Sequence, residues 1–582
     1  MKNIKNNIIS PTCLRVWVQR KEILRPREPG TQNDKLPKAS KGIYALLFTV
    51  FILLFSISIT IGQNVSDIQK TGDNYRIQPS NVTQTEVFIV KSPLDENIIF
   101  SSCNTLTFIP FFISEGIYVT ENGGESWQGN DSCTGDPLLF HGGDPGIAID
   151  KDGRFIITRL GRSPFVGLYS HYSTDNGKTW SGQKAISTDD LERAAVNTDA
   201  VTTSNYYGRT YAAWVKFATP FPLVLSFTDD GAENWSSPQQ INSPDNRSAG
   251  GDVAVGPNGE VYVCWAGVTE SSPFKEIHVG FASSLNGGDN WDVTENAFNV
   301  NGITGVLANK GNIRVNGLPG IAVDTTEGER NGWIYIVTGQ KDLAPAGSDP
   351  DIIMYRSTDG GSKWSSAIRV NQDAVNNGKT QYFPTVHIDK FGAVNVIFYD
   401  DRNTSIDSCG VFLARSTDGG DTWKEFEISD HNYKPTPIGG LGQGYQGDNI
   451  DITSTESKLW PVWMDNSSGT YQIWTTPIDF SFVDAVDEEN HSPFTFRLEQ
   501  NYPNPFNTST TISYQLNTLS FVSLKVTDAY GNEIANLVNE IQMPGTHEVN
   551  FSTGKTKLKN GLYFYRLTID GLSETRRMIL MN

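Results

Sequence analysis

Short segments in which apolar residues alternate with polar ones, or form brief apolar runs, follow one another along the chain after residue 70. Residues 145–150, 154–159 and 167–172 are three such segments in succession, and residues 522–527 (Val-Ser-Leu-Lys-Val-Thr) alternate strictly. Gly, Asn and Pro cluster between the segments. Apolar segments of this length, separated by turn-forming residues, predict β-strands joined by tight turns. The pattern therefore predicts an all-β protein.

One apolar run does not fit this pattern. Residues 43–61 are almost entirely apolar, three lysines precede them within residues 35–41, and small residues occupy positions 60 and 62. These are the parts of a secretory signal peptide in their usual order, so we expect residues 1–62 to be an N-terminal extension that ends in a cleaved signal. The alternative is an uncleaved membrane anchor, because 19 residues can just span a bilayer. Both interpretations export the rest of the chain.

A repeat of the form Ser/Thr-x-Asp-x-Gly-x-x-Trp dominates the middle of the chain. It is complete at residues 173–180, 357–364 and 416–423, has Asn in place of Asp at residues 120–127 and 284–291, and is weaker at residues 228–235. Gly supplies the positive φ of a hairpin turn, Asp or Asn bonds the amides of the turn, and Trp buries a large ring. The six copies begin between 53 and 73 positions apart, which predicts one copy per small β-sheet.

These repeats resemble the Asp boxes, or BNR repeats, of sialidase-like β-propellers. The resemblance implies an Asp-box β-propeller over residues 70–480, in which the repeats are structural. First strands recur near seven positions, so we expect seven blades, although the six blades of sialidases are the alternative. The seventh unit lacks an outer strand, and residues 74–79 resemble one. An N-terminal strand in that place would close the ring and leave no free sheet edge.

Residues 497–582 contain alternating segments separated by Gly, Asn and Pro turns, and they predict a small β-sandwich after a linker at residues 481–496. Residues 501–507 (Asn-Tyr-Pro-Asn-Pro-Phe-Asn), residues 561–565 (Gly-Leu-Tyr-Phe-Tyr) and the basic, then apolar, final strand resemble the C-terminal sorting domain of the type IX secretion system. The resemblance implies that residues 497–582 engage the secretion machinery. It also implies an extracellular or outer cell-surface location in a Bacteroidetes-like bacterium, with membrane contact only during export or through surface attachment.

The net charge and the His and Cys content reduce the number of partners and cofactors to consider. The chain of 582 residues has a net charge of −19, and its basic residues are concentrated in residues 1–41, so the remainder is more acidic still. A body of that charge repels polyanions, and we expect no nucleic-acid partner. The scattered His and Cys residues have no zinc-ligand spacing, so we expect no metal and no cofactor. Cys103 and Cys133 could form a disulfide after export, and Cys264 is expected to be a buried thiol.

In a propeller the functional face is the one where the inner strands begin. Residues predicted to line that face share a position at the start of an inner strand or the end of a second strand, and they are Glu86, Asp144, Asp199, Asp252, Tyr399, Asp401, Arg402, Asp448, Trp463 and Asp465. One interpretation is that the carboxylates only cap strand amides. The second is a wet, acidic binding site with aromatic platforms for neutral or cationic saccharides or for a cation.

The third interpretation is a sialidase site, which needs three arginines for the substrate carboxylate, an Asp acid and a Tyr nucleophile activated by a Glu. The resemblance nominates Asp144 as the acid, Tyr445 as the nucleophile, and the arginines Arg159, Arg162 and Arg402. The sequence departs from the family, because the Arg-Ile-Pro motif is missing and no Glu is evident beside Tyr445. Clustered carboxylates also repel an anionic sugar.

Taken together, these features favour a secreted or cell-surface propeller that binds a glycan or another surface polymer without cleaving it. The alternative is an exo-sialidase or another glycoside hydrolase that acts on extracellular glycans. The sequence leaves open whether the protein is an enzyme.

Overall fold

The computed structural model describes residues 73–582 apart from residues 109–110, 134–140, 192, 440–443, 485–495, 499, 517–518, 529–530, 556–557, 570–571 and 582. The apolar run at residues 43–61 and most of the predicted linker lie outside the described residues. Among the residues that are described, no helix has both the length and the apolar character needed to cross a membrane.

Residues 73–479 contain seven antiparallel sheets of four ladder-forming strands, numbered here as blades 1 to 7. In blades 1 to 6 the inner strand comes first in sequence and the next strands add outward, and blade 7 differs only in its outer strand. From inside to outside, blades 1 to 4 consist of Thr83–Lys91, Ile99–Phe108, Phe111–Thr120, Gln128–Asn130; His141–Ile149, Phe155–Gly161, Gly167–Ser173, Lys184–Ser187; Ala195–Thr198, Thr210–Val215, Leu223–Thr228, Gln239–Gln240; and Ser248–Val255, Val261–Val268, Glu276–Ser284, Asp292–Asn299.

The remaining blades follow a short insertion. A two-stranded hairpin, Gly305–Leu307 with Ile313–Val315, encloses the 3-10 helix Ala308–Lys310 between blades 4 and 5. In the same inside-to-outside order, blades 5 to 7 consist of Gly320–Val323, Ile334–Gln340, Asp351–Ser357, Ile368–Arg369; Gln381–Ile388, Val394–Asp400, Gly410–Ser416, Lys424–Glu427; and Asp451–Ser454, Lys458–Asp465, Gln472–Thr475, Tyr75–Arg76.

The outer strand of blade 7 comes from the N-terminal side of the propeller. Tyr75 pairs with Thr475 and Arg76 pairs with Trp474, and the buried Ile77 continues the ladder by donating its N–H to the Ile473 carbonyl at 3.1 Å. The predicted N-terminal closing strand and the preferred count of seven blades are both confirmed. A fifth strand, Ile478–Asp479, pairs with the second strand of blade 7 and leads into the short helix Phe480–Val483.

The six repeats form the turns that follow the third strand of blades 1 to 6, and we call them the repeat turns. In blade 2, Ser173 Oγ donates to Asp175 Oδ1 at 2.8 Å and accepts the Gly177 N–H at 2.8 Å, as the sequence predicts. The Trp180 ring is 8% exposed and lies 6.0 Å from the ring of Phe100 in blade 1. The repeat turns therefore close each hairpin, and their tryptophan packs against the preceding blade.

The cysteines do not form the disulfide that their positions allowed. Cys103 lies in the second strand of blade 1, with Sγ 3.7 Å from the Tyr118 hydroxyl, whereas Cys133 packs in a different apolar cluster beside Phe155. No disulfide joins them. Cys264 is fully buried, as predicted.

Residues 496–581 form two further antiparallel sheets, the β-sandwich predicted from the alternation. One sheet contains Phe496–Leu498, Ser509–Leu516 and Gly545–Ser552, and the other, in spatial order, contains Glu533–Gln542, Ser520–Asp528, Gly561–Ile569 and Leu572–Leu580. Their inward residues, including Leu524, Tyr565 and Leu580, are fully buried in one apolar core.

Candidate functional site

The inner strands begin at the end of the propeller where the second strands finish, because the two run antiparallel. His141 at the start of the blade 2 inner strand pairs with Gly161, and Gln381 in blade 6 pairs with Asp400. The hairpins between second and third strands therefore lie at this same end, which we call the mouth face. The repeat turns lie at the opposite end.

Four inner strands share a β-bulge close to the mouth face. The pairing register shifts at residues 85–88, 143–146, 249–252 and 382–385, and the first bulged residue has positive φ in each case. These residues are Glu86 (φ 55°), Asp144 (57°), Gly250 (65°) and Phe383 (53°). Bulges redirect a side chain and are common beside functional sites. Two of the four equivalent positions here are carboxylates.

The two bulge carboxylates meet at one amide. Nδ2 of Asn104 donates to Glu86 Oε2 at 2.8 Å and to Asp144 Oδ1 at 2.9 Å. The Asn104 carbonyl oxygen, in turn, accepts the Asp144 backbone N–H at 2.6 Å. Asn104 comes from the second strand of blade 1, so it fixes carboxyl groups of blades 1 and 2 beside each other.

Tyr445 completes the same cluster. Its hydroxyl lies 3.5 Å from Asn104 Nδ2 and 3.2 Å from Thr85 Oγ1. Burial raises the pKa of Tyr445 well above its usual value, and the nearby charges of Glu86 and Asp144 raise it further. The phenol is therefore neutral and partly exposed, beside a glutamate that the sequence did not reveal as its neighbour.

Glu86 is the buried member of the carboxylate pair. It is 6% exposed, and Oε1 accepts the Asp448 backbone N–H at 3.2 Å. Burial raises the pKa of Glu86 well above its usual value, the charges of Asp144 and Asp448 add to the rise, and Arg193 and Arg314 oppose it. Asp144 is more exposed than Glu86, so two adjacent carboxyl groups occupy different environments. Such a difference separates an acid from a base in many active sites.

Arginines balance the carboxylates at the mouth. Arg314, from the hairpin inserted before blade 5, bonds Asp448 Oδ2 at 2.5 Å and lies 5.4 Å from the centre of the Tyr445 ring. Oδ1 of Asp448 is buried and has no hydrogen-bond partner among the described residues. Arg162 is exposed in the blade 2 hairpin and interacts with the charge of Asp144. The mouth is therefore mixed in charge, in contrast to the acidic ring expected from the sequence.

A channel of about 540 Å³ is lined by the inner strands of all seven blades, and of the groups described above Asp448 and Arg193 contribute to its wall. Two aspartates in its wall cap backbone amides, as the first interpretation of the carboxylates expected. Asp252 accepts from the N–H groups of Val253 and Ile321 at 2.9 and 3.0 Å, and Asp451 does the same for Ile89 and Ile452. Burial raises the pKa of Asp451 to about 7.

Asp199 is not at the mouth, and the prediction that placed it there is wrong. The blade 3 inner strand ends at Thr198, so Asp199 lies in the following turn at the far end of the blade. Its carboxylate accepts the Val201 N–H at 3.0 Å and the Ser204 hydroxyl. It is a turn cap, equivalent to Asp150 in blade 2.

The predicted aromatic platforms are core residues. Tyr399 and Trp463 are fully buried between blades 6 and 7. The Tyr399 hydroxyl donates to the Met464 carbonyl at 2.7 Å, and Trp463 Nε1 donates to Asp465 Oδ2 at 3.0 Å. Asp465 is itself 1% exposed and bonds His431 Nε2 at 3.1 Å. None of these three predicted binding residues faces the mouth.

Three further predicted site residues are buried in polar networks. Asp401 is fully buried and paired with Lys310. Arg402 bonds Asp400 and both oxygens of Glu425, with its side chain 6% exposed. Arg159 is 1% exposed and donates to Gln183 and His171 within blade 2. The structure therefore excludes the arginine trio of Arg159, Arg162 and Arg402, because only Arg162 reaches the mouth.

Sequence reasoning missed Asn104, Arg193 and Arg314. Each lies on a different segment, and no local motif marks it; only the pairing of strands brings it to the bulge carboxylates. Among the described residues, no group of three or more His, Cys, Asp or Glu side chains is arranged to hold a metal ion.

Comparison with known proteins identifies the C-terminal part. Residues 500–581 match the family model of the secretion system C-terminal sorting domain, which marks the chain as an exported protein. No curated protein sequence matches the chain.

The chain is also similar to solved structures at low identity. An ulvan lyase of a new polysaccharide lyase family has 11% identity and a TM-score of 0.43, with 68% of this chain and 94% of that chain covered. A Dyadobacter fermentans protein of unknown function has 13% identity and a TM-score of 0.41, with 70% and 98% covered. The α-L-arabinanase of Penicillium chrysogenum has 10% identity and a TM-score of 0.36, with 56% and 93% covered. Likeness at this level assigns no substrate and no residue role to this chain.

Proposed function

We propose that this protein is an extracellular or cell-surface glycan-binding propeller whose binding site is the mouth cluster of Glu86, Asp144, Asn104, Tyr445 and Arg314. The observation that carries the proposal is the convergence of Glu86, Asp144 and Tyr445, from blades 1 and 2 and one connecting segment, on the amide nitrogen of Asn104. Arg314 adjoins this cluster through Tyr445 and through Asp448, and Asp448 lines the 540 Å³ channel. A few convergent polar groups in a concave site are typical of small-molecule and sugar recognition.

The mixed charge of the mouth supports a hydroxyl-rich ligand. A sugar hydroxyl both donates and accepts, and the cluster offers acceptors on Asp144 and Asp448 beside donors on Tyr445 and Arg314. Asp252 and Asp451 are less available for this role, because each of their oxygens already accepts a hydrogen bond from a backbone amide.

A second candidate function, glycoside hydrolysis, is favoured by one specific arrangement. Retaining glycosidases hold two carboxyl groups about 5–5.5 Å apart, with one of them protonated. Glu86 Oε2 and Asp144 Oδ1 lie 2.8 and 2.9 Å from the same nitrogen, Asn104 Nδ2, and this arrangement is compatible with that spacing. Burial raises the pKa of Glu86, which favours it as the protonated partner, and the more exposed Asp144 is then the group that contacts the sugar.

The test is a glycan array probed with the full-length exported protein, followed by assays for sugar release from each bound glycan and from a fluorogenic sialoside. We expect Asp144→Asn to weaken glycan binding at least tenfold. Glu86→Gln should preserve binding and abolish release if the protein is a hydrolase. Asp252→Asn is the matched control, an aspartate of the channel that should lower stability and leave binding intact. Binding that survives Asp144→Asn unchanged would refute the mouth as the site.

The location is tested separately from the ligand. Deleting residues 500–581 should leave a folded propeller in the periplasm, whereas the full-length protein should be found outside the cell or on its surface. Surface delivery of the truncated chain would contradict the proposed route of export.

A further inference from the structure

A second structural repeat, unrelated to the repeat turns, lies on the mouth face. The hairpins between second and third strands in blades 2 to 5 contain the turns 162–165, 218–221, 271–274 and 343–346, each with Pro at its third position. In each turn the fourth residue donates its N–H to the carbonyl of the first, at 2.6, 2.6, 3.0 and 3.1 Å. Four consecutive blades therefore present the same rigid turn toward the same side of the molecule.

Exposed aromatic rings lie in the hairpins of blades 2 to 4 and at the end of the second strand of blade 1. Each of these four blades holds one phenylalanine that is 37–42% exposed at the mouth face, and we call this set the aromatic arc: Phe108 in blade 1, Phe165 in blade 2, Phe217 in blade 3 and Phe274 in blade 4. Isolated exposed apolar residues are common on protein surfaces. Within the hairpins of blades 2 to 4, however, phenylalanine recurs at the fourth position of the Pro turn, as Phe165, the half-buried Phe221 and Phe274. This recurrence follows the symmetry of the fold.

The blade 4 end of the arc is held in place by contacts within the protein. The guanidinium of Arg247 lies 4.3 Å from the centre of the Phe274 ring and 4.4 Å from the centre of the ring of Phe221, a half-buried phenylalanine of the blade 3 hairpin. The backbone on either side is tied to the same hairpins, since Ser248 donates to the Phe221 carbonyl and Val268 donates to the Arg247 carbonyl. A surface already fixed in this way loses little conformational entropy when it binds.

The geometry points to a polysaccharide chain that lies along the aromatic arc and enters the mouth at blades 1 and 2. This inference rests on the proposed function, and it adds that the ligand is a polymer held by several blades rather than a single sugar. The phenyl faces stack on the apolar faces of sugar rings, while Asp144 bonds the hydroxyls of the unit at the mouth. The arc begins at the blades that carry these carboxylates, so one chain can contact both.

The charge of the molecule argues against a lipid surface as the occupant. The chain carries a net charge of −19, and residues 1–41, N-terminal to the propeller, hold ten of its 46 Lys and Arg, so the rest of the chain is more acidic still. Anionic headgroups repel a body of that net charge. Stacking on a neutral sugar ring is not opposed by it.

The experiment is native affinity electrophoresis of the full-length exported protein in gels that contain arabinan, xylan, ulvan or hydroxyethyl cellulose. We expect at least one polymer to retard the protein, and retardation to persist at high salt, because stacking is not screened. The triple variant Phe165→Ser, Phe217→Ser, Phe274→Ser should lose roughly tenfold or more in affinity, the combined effect of three aromatic contacts. Melting temperatures establish that each variant is folded.

Leu285 provides the matched control. It is 76% exposed in the blade 4 repeat turn, at the opposite end of the propeller, so Leu285→Ser removes an exposed apolar side chain without touching the arc. It should be retarded like the parent protein. The inference would be overturned if the triple variant were retarded like the parent protein, or if none of the four polymers retarded the parent protein. It would also be overturned if the parent protein bound phosphatidylcholine or phosphatidylglycerol vesicles and the triple variant did not.

The same variants separate this inference from the proposed function. If Asp144→Asn is still retarded by polymer but loses sugar release or binding on the array, the aromatic arc is upheld as a binding surface and the mouth is confirmed as a second contact. If the triple variant loses retardation and Asp144→Asn changes the binding of no glycan, the mouth is refuted as a binding site and the aromatic arc is upheld as one.

Discussion

The closure of the ring should depend on pH through His431. This side chain lies on the connection between blades 6 and 7, where Nδ1 bonds Asp430 at 2.6 Å and Nε2 bonds Asp465 at 3.1 Å. Its ring packs 4.5 Å from the ring of Trp474, whose backbone pairs with the closing strand. Asn74 at the start of that strand exchanges two hydrogen bonds with Asp430, at 2.6 and 2.9 Å. The imidazolium therefore joins the closing strand to blade 7.

The magnitude follows from the pKa of His431. Burial alone would lower that pKa, but the hydrogen bonds to Asp465 and Asp430 outweigh burial and raise it from 6.5 to about 9. At 1.36 kcal/mol per unit, this difference corresponds to about 3 kcal/mol of stability. Because the folded state binds the proton more tightly, the contribution is complete below about pH 6.5 and is lost as the pH rises through about 9.

The assay is urea denaturation of the full-length protein at about pH 6 and about pH 9.5, compared with His431→Gln, which cannot become charged. The nearby cation is Arg76, 5.9 Å from the Trp474 ring, and it stays charged throughout this range. Asp451, with a pKa of about 7, titrates identically in both proteins, so the difference between them isolates His431. If the free energy of unfolding changes between the two pH values by the same amount in the parent protein and in the variant, the reasoning is refuted.

Three further outcomes test the architecture. Trp423→Ala should cost about 3–5 kcal/mol in unfolding experiments, because it removes a large ring from the seam between blades 5 and 6 without altering glycan binding. Arg402→Ala should cost a similar 3–5 kcal/mol, since it leaves two buried carboxylates uncompensated, and should also leave binding unchanged; a loss of binding by a folded variant would return Arg402 to the site. Removing residues 73–82 takes the outer strand from blade 7 and should cause aggregation or a large drop in melting temperature, whereas unchanged melting would show that the ring closes in another way.

The fold could be predicted from the sequence because its signals are local. Each repeat turn carries its Ser, Asp, Gly and Trp within eight residues, so six copies disclose the blades without any knowledge of long-range contacts. The closing strand was also predictable, since residues 74–79 resemble an outer strand and blade 7 lacked one. Closure by an N-terminal strand satisfies a requirement of the whole ring, namely that no sheet edge is left open.

The candidate site could not be predicted from the sequence in the same way, because its residues come from separate segments of the chain. Asn104 and Arg314 lie 210 positions apart and carry no motif; only the register of the strands and the inserted hairpin bring both beside Tyr445. Conversely, Asp401 and Trp463 sit at strand ends, as mouth residues do, but their side chains turn into the seam between blades. Position along a strand therefore predicts the face of the propeller and leaves the direction of the side chain undetermined.

The bulges supply an argument for function that is independent of any ligand. Blade 4 has Gly250 at the bulged position, the residue that adopts positive φ without steric cost, whereas blade 2 has Asp144 at φ 57°. A side chain in the left-handed region costs about 1–2 kcal/mol. At Phe383 in blade 6 packing in the apolar core offsets that cost, whereas Asp144 lies outside the apolar core. Asp144→Gly and Asp144→Ala both remove the carboxylate and its bonds to Asn104, so both should abolish glycan binding. The glycine variant should nevertheless be more stable than the alanine variant by about 1 kcal/mol, measured by urea denaturation, because only alanine keeps the Cβ that crowds this backbone. Equal stabilities would show that the bulge is not strained, and the carboxylate at this position would then need no functional explanation.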